Sequence, residues 1–256
     1  MIVILTGAGI SQESGIDTFR DKGGLWESIR IEDVATASAY RRNPERVLAF
    51  TDELRRGLKK GHVAPNTAHK ALARLEKEYS GGVLLVTQNI DNLHERAGSE
   101  DPLHMHGELL KVRCERCCHV LHWEEDLPGE TPCPACGSTH CLRPDIVLFE
   151  EMPYHMDEIA RALARCRLFV SIGTSGNVYP AAGFAAEAKS RGARVLELNL
   201  DRPWAPRPFT TAAMAKPRRL CPPGWTKCLG RHFATACRPI CSTRHGAGGK
   251  RSGLKP

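Results

Sequence analysis

A chain of 256 residues, 41% hydrophobic and 25% charged, has the makeup of one large domain or of a domain carrying a smaller insert, which excludes a wholly disordered chain and a coiled coil. No apolar run approaches the roughly 20 residues of a membrane-spanning helix, and the start, Met1 to Leu5 followed at once by Thr6-Gly7-Ala8-Gly9, lacks the form of a secretory leader. The net charge of +7 divides unevenly: residues 1–201 hold 24 basic and 29 acidic side chains, whereas residues 202–256 hold 12 basic and no acidic ones. A cytoplasmic protein with reduced thiols is expected, so the eleven cysteines point to metal before disulfides.

In chain order, Ile2 to Leu5 reads as a short buried strand that ends in the glycine turn Gly7-Ala8-Gly9-Ile10-Ser11, a turn able to open a helix. Val47, Phe50, Thr51, Leu54 and Leu58 share one helical face. Ala68, Ala71, Leu72 and Leu75 do so after the helix start Pro65-Asn66. Val83 to Thr87 is a second strand, and Ile146 to Phe149 a third. Ile159, Ala162, Leu163 and Cys166 form a stripe leading into the strand Leu168 to Ile172. A further stripe, Ala181, Phe184, Ala185 and Ala188, ends at Gly192 before the strand Arg194 to Leu198. Strands alternating with helices predict an α/β fold with a Rossmann-like parallel sheet covered on both faces. Ligands of such sheets sit at the carboxyl ends of the strands, where Gly7–Ser11, Gln88–Asp91, Gly173–Ser175 and Asn199 fall. Gly7-x-Gly9 after a strand suggests phosphate binding. The dehydrogenase pattern Gly-x-Gly-x-x-Gly fails at Gln12, so as a bare motif the loop is weak.

Cys114-x2-Cys117 and Cys133-x2-Cys136, fifteen residues apart, have the spacing of a four-cysteine zinc site on two tight knuckles. Cys118 and Cys141 lie close enough to be alternative ligands. Four thiolates leave no open coordination position, so this zinc would be structural and would not activate water. That argues against a zinc hydrolase. Residues 202–256 carry eight of the 17 prolines and four of the 11 cysteines. They read either as a basic arm for nucleic acid or as sequence never selected to pack, such as follows a shifted reading frame. The second reading is favoured, because solvated basic tails rarely scatter Trp, Phe and Cys.

Gly7-Ala8-Gly9-Ile10-Ser11-Gln12-Glu13-Ser14-Gly15-Ile16-Asp17-Thr18-Phe19-Arg20 resembles the cofactor loop of the sirtuin family. Thr87-Gln88-Asn89-Ile90-Asp91-Asn92-Leu93-His94, His106-Gly107-Glu108, Gly173-Thr174-Ser175-Gly176 and Glu197-Leu198-Asn199-Leu200 follow in that family's order, with the cysteine pairs between. Gly23-Gly24-Leu25-Trp26 and Val178-Tyr179-Pro180-Ala181 look like its bacterial branch, related to the desuccinylating members. The resemblance covers residues 2 to about 201. It implies NAD-dependent removal of acyl groups from protein lysines, giving nicotinamide and O-acyl-ADP-ribose.

By that resemblance, Gly7, Ala8, Gly9, Ser11, Phe19, Arg20 and Trp26 belong to the cofactor site, with Gly173, Thr174, Ser175, Asn199 and Leu200. A backbone nest plus a guanidinium suits two phosphate charges. Gln88 and Asn89 would hold the ribose, Ile90 and Asp91 the carboxamide, and His106 would be the general base that takes the sugar's proton. Thr51, Leu54, Val147 and Phe149 would meet the acylated lysine of a protein substrate. The resemblance also implies Rossmann-like parts at about 1–30, 64–107 and 143–201. A small domain would come from two insertions, about 31–63 and 108–142, the second carrying zinc.

Three departures stand out. Thr51 and Leu54 occupy the positions of a Tyr/Arg pair that faces the acyl carboxylate in related desuccinylases, so deacetylation is expected over desuccinylation. Glu150 stands where a glycine is usual in the segment that pairs with substrate backbone, and its side chain could obstruct a strand-like peptide. After Asp201 the resemblance stops, and a last helix and an adenine-contacting loop are expected to be missing. Two rivals to the enzyme reading follow: a weak or silent NAD- or peptide-binding protein, and a basic zinc-ribbon nucleic-acid binder.

Overall fold

A computed structural model of the chain describes residues 1–17, 29–199 and 211–214, the last four as backbone only. The large sheet is parallel, with strands β1 (Ile2–Thr6), β2 (Val83–Thr87), β3 (Leu103–His104), β7 (Leu168–Ile172), β8 (Arg194–Asn199) and β9 (Thr211–Met214) in the order β3-β2-β1-β7-β8-β9. The chain builds outward from β1 to one side, then returns to β7 and builds to the other. The sense of winding therefore reverses between β1 and β7, which opens a crevice at their carboxyl ends.

Every residue of β1 and β7 is buried, as continuous apolar strands covered on both faces require. Val3, Leu5, Phe169 and Val195 pack under helices α6 (Met156–Leu163) and α7 (Phe184–Ser190), while Ile2, Ile4, Val170 and Ile172 pack with Ala68 and Leu72 of α4 (Thr67–Glu78). Asn66 caps α4 in a capping box with His69, and its side-chain amide reaches the Ile10 carbonyl (2.7 Å), which docks the helix start on the glycine loop.

Two expected elements differ. The glycine loop opens no α-helix. It folds into two short 3₁₀ turns, Ala8–Ile10 and Gln12–Ser14, separated by Ser11. The strand expected over 146–149 lies earlier. Strand β6 (Leu142–Ile146) pairs antiparallel with β4 (Gly107–Cys114), and β4 pairs with β5 (Val120–His122) in a separate three-stranded sheet. Pro144 is tolerated there because β6 is an edge strand. Phe149 retains only an isolated parallel bridge to Thr36.

Helices α1 (Ile31–Val34), α2 (Ala37–Arg42) and α3 (Pro44–Leu58) lie between the glycine loop and α4. The buried side of α3 shares only Val47 and Thr51 with the apolar stripe read from the sequence. It is Val47, Leu48, Thr51, Asp52 and Arg55, with Leu54 and Leu58 only half-buried. Arg55 pairs with Asp52 and donates to the carbonyls of Leu109 (3.2 Å) and Glu125 (3.0 Å), while Asp52 accepts from the Leu127 amide (3.1 Å). This buried ion pair, bonded to backbone on both sides with only Arg55 Nη2 left without a partner among the described residues, ties α3 to the cysteine-bearing sheet.

Candidate active site

Three loops leave the carboxyl ends of β1, β2 and β7, and they and the last residue of β8 are bonded to one another. Ser11 donates to Asp91 Oδ2 (2.9 Å) and accepts from the Asn89 side-chain amide (3.0 Å), which joins the first loop to the second. Gln88 Nε2 donates to Thr174 Oγ1 (2.9 Å), joining the second to the third. Asn199 Nδ2 donates to the Thr174 carbonyl (2.9 Å), joining the third to the end of β8. The first and third also touch backbone to backbone: the Gly9 amide donates to the Gly173 carbonyl (2.8 Å), and a Cβ on Gly7 or Gly9 would lie 2.9 Å from Gly173 or Thr174 atoms. Gly173 itself has φ +60.

The structure thus brings Gly7, Ala8, Gly9, Ser11, Gln88, Asn89, Ile90, Asp91, Gly173, Thr174, Ser175 and Asn199 to one end of the sheet. Phe19, Arg20, Trp26 and Leu200 lie outside the described residues. The expected nest of backbone amides is largely spent, because the N–H groups of Gly7, Gly9, Ile10 and Ser11 donate to carbonyls of Ile172, Gly173, Gly7 and Ala8. The crevice instead offers amide, carboxylate and hydroxyl side chains from Gln88, Asn89, Asp91, Ser11 and Thr174. That donor set suits sugar hydroxyls and a carboxamide, so the residues fit a dinucleotide. Burial raises the Asp91 pKa, opposed by the Leu93 amide (3.0 Å) and the Ser11 hydroxyl.

His106 stands just before β4, half-buried, with Nδ1 2.9 Å from the Gln88 carbonyl. A carbonyl only accepts, so Nδ1 carries the proton and Nε2 keeps its lone pair in the neutral ring. Burial lowers the His106 pKa below 6.5, with the Gln88 bond opposing. The ring is therefore a neutral base at pH 7.

From His106 the chain connects to the candidate substrate segment. The Val147 amide donates to the His106 carbonyl (2.8 Å) and the Phe149 amide to that of Ala35 (2.9 Å). Leu148 is buried, Val147 half-buried and Phe149 exposed. Arg143 holds Glu151 through two bonds (2.6 and 3.1 Å), and Glu151 accepts from the Leu148 amide (2.8 Å), so the segment is clamped from behind. Glu150 takes φ +77, the left-handed conformation that a glycine adopts without cost. Its carboxylate accepts from the Ser38 amide (2.9 Å) and hydroxyl (2.8 Å) at the start of α2. The side chain is committed to that helix. Thr51 is buried and its hydroxyl bonds back to the carbonyls of Val47 (3.1 Å) and Leu48 (2.9 Å) of its own helix.

The sulfurs of Cys114, Cys117, Cys133 and Cys136 lie within 4.8 Å of one another, with Cys114–Cys136 at 3.8 Å and Cys117–Cys133 at 3.7 Å. A tetrahedron with Zn–S bonds of about 2.3 Å has edges of about 3.8 Å, so the set fits a zinc ion. Of the two alternative ligands, Cys141 donates to the Ser138 carbonyl (3.0 Å). Cys118 is exposed with φ +61 and occupies the turn position that Gly137, φ +71, fills in the second knuckle: each amide donates to the carbonyl of the first cysteine in its pair.

One buried group escaped the sequence reading. His104 lies two residues before His106, with Nδ1 3.1 Å from the Asn89 carbonyl and Nε2 2.6 Å from Glu95 Oε1. The His-x-His spacing, which starts at the last residue of the short strand β3, was the available signal.

The Sir2 family model matches residues 7–180. NAD-dependent protein deacylase SIR2rp3 of Trypanosoma brucei brucei is 57% identical over 203 residues, 78% of this chain and 83% of its own. An NAD-dependent protein deacylase of Yersinia pestis is 57% identical over 200 residues, 78% of this chain and 72% of its own. Among solved structures, a Sir2 homologue–NAD complex aligns with TM-score 0.77 at 37% identity, covering 92% of this chain and 90% of that one. Sir2Af2 bound to a myristoylated histone peptide aligns with TM-score 0.69 at 31% identity, covering 91% and 92%. With its family model, relatives of that identity and the crevice-bearing parallel sheet all in agreement, the chain belongs to the Sir2 family.

Proposed function

We propose that this chain is an NAD-dependent protein-lysine deacylase that favours acetyl and other neutral acyl groups over succinyl, with His106 as its general base. The observation that carries the reading is the His106 ring: protonated at Nδ1 by its bond to the Gln88 carbonyl, neutral through burial, and joined through its own backbone to Val147 of the substrate segment. Bound NAD supplies a ribose–nicotinamide bond whose cleavage readies the sugar to take the acyl group. Ser11, Gln88, Asn89, Ile90 and Asp91 hold the nicotinamide side. Gly7, Ala8, Gly9, Gly173, Thr174, Ser175 and Asn199, with Phe19, Arg20, Trp26 and Leu200, complete the cofactor site. His106 draws the proton from a ribose hydroxyl at Nε2. Val147 and Phe149 meet the acylated lysine with their side chains, since their amides are held by the carbonyls of His106 and Ala35.

The preference for neutral acyl groups rests on α3. The Thr51 hydroxyl is spent on its own helix and Leu54 brings neither charge nor hydrogen-bond donor, so nothing at these two positions pairs a distal carboxylate. Acylated protein lysine is the substrate, as the acylated-peptide complex of a relative supports. The four-thiolate set needs a reducing compartment, which supports a cytoplasmic location. Nicotinamide release with acetylated and succinylated versions of one peptide tests the whole reading. Release with the acetylated peptide at the higher kcat/KM is expected. Faster turnover of the succinylated peptide overturns the preference, and no release with either overturns the enzyme reading.

A further inference from the structure

Gln88 and Asn89 present consecutive backbone carbonyls, and each is held by an imidazole: Gln88 by His106 Nδ1 (2.9 Å) and Asn89 by His104 Nδ1 (3.1 Å). Met105 between them is fully buried in the sheet core, while both rings reach the same loop. They are not equivalent. His106 keeps one nitrogen for chemistry. His104 is buried and spends both, the second on Glu95 Oε1 at 2.6 Å. A carbonyl and a carboxylate both accept only, so this geometry needs a proton on each nitrogen of His104.

We propose that His104 is a positioning residue for the dinucleotide: as the imidazolium of a buried His104–Glu95 pair, it fixes the Asn89 carbonyl and with it the shape of loop 88–91. The proposal rests on the NAD reading above. The Asn89 side chain donates to Ser11, and Ser11 to Asp91, so a shift of the Asn89 backbone moves the groups assigned to the ribose and the carboxamide. The charged and titratable groups facing His104 are Glu95 and His94 from α5 (Leu93–Ala97), Glu108 from β4 and Asp91 from the loop. Glu108 also pairs with Lys111 (2.6 Å), so its pull on His104 is the weaker of the two carboxylates. Burial alone would lower the His104 pKa, but the bond and charge of Glu95, with Glu108, outweigh it and the net direction is upward from 6.5. The cation therefore predominates at pH 6.5 and below, and is lost as pH rises through the raised value.

The test uses the full-length zinc-loaded protein, with NAD and an acetylated peptide, from pH 6 to 9.5. His104→Leu is expected to raise KM for NAD at least about tenfold while kcat falls less than about threefold, the size of one lost charge-assisted hydrogen bond at the binding step. His104→Asn keeps a donor near the Nδ1 position and is expected to recover most of that loss. In the wild type, KM for NAD rises on the alkaline side. In Glu95→Gln, which keeps the shape and removes the charge, that rise moves at least about one pH unit lower. Equal KM values for wild type and His104→Leu, or identical pH profiles for wild type and Glu95→Gln, overturn the proposal alone. So does a His104→Leu loss that falls on kcat with a lowered Tm and is not recovered by Asn. A wild type without NAD affinity overturns the cofactor reading and this proposal together.

Discussion

At the scale of single residues, His106 sets the firmest expectations. Removing a general base costs about 10²–10⁴ in rate. His106→Ala is therefore expected to lose that much in kcat while calorimetric NAD binding survives. Its pKa lies below 6.5, so the neutral base is the majority form at pH 6.5. The acid limb of wild-type kcat should be centred below pH 6.5. An acid limb centred at or above 6.5 contradicts the assignment. Leu54 gives a second expectation. A cation at that position can pair with a distal carboxylate, and a charged hydrogen bond contributes about 1.5–3 kcal/mol. Leu54→Arg should raise the succinyl-to-acetyl kcat/KM ratio at least about tenfold, measured with one peptide in both acylated forms.

The sequence exposed these residues unequally. His106 was identifiable because its neighbours follow a known order. His104 resembled any buried histidine until the partners of both its nitrogens were in view. Glu150 was marked as an oddity, and the expected obstruction followed from knowing its charge without its direction. The left-handed turn that a glycine would take is kept, and the carboxylate is drawn to Ser38.

At the scale of elements, the knuckles were legible from spacing alone, because four thiolates around one ion dictate where cysteines fall. The turn geometry was not. Cys118 is a fifth cysteine in a left-handed corner, where a side chain costs about 1–2 kcal/mol relative to glycine. Cys118→Gly should keep one zinc per chain by metal analysis and raise Tm by roughly 2–4 °C, as for ~1 kcal/mol in a domain of this size. Loss of zinc in that variant would make Cys118 a ligand. Strand β6 was misplaced because its short alternation, Leu142, Pro144 and Ile146 against Arg143 and Asp145, runs through a proline, which argues against a strand in sequence. Antiparallel pairing with β4 and the Arg143–Glu151 bond decide its course, and neither is local in sequence. The Asp52–Arg55 pair was hidden for the same reason, since its satisfying carbonyls come from residues 109 and 125.

At the scale of the whole molecule, the parallel character of the large sheet followed from the alternation of strands and helices, but its strand order and its two outermost strands did not. Residues 202–256 were expected to add nothing, yet Thr211–Met214 pair with Leu196–Asn199. Ending the chain after residue 214 should leave Tm and NAD binding within error of the full protein. Ending it after Asn199 removes the partner of β8 and should lower Tm by several degrees, read by calorimetry. Equal melting of the two truncations would show that β9 contributes nothing.

The lengths of the two outermost strands matter for more than folding. Strand β3 has two residues and β9 has four, so either margin of the sheet gives a second molecule only a short run of backbone on which to zip. Growth into a ribbon of stacked copies is discouraged at both ends. On the β8 side that protection comes from the stretch of chain least like the rest. Without it, six residues of β8 become a template for self-association.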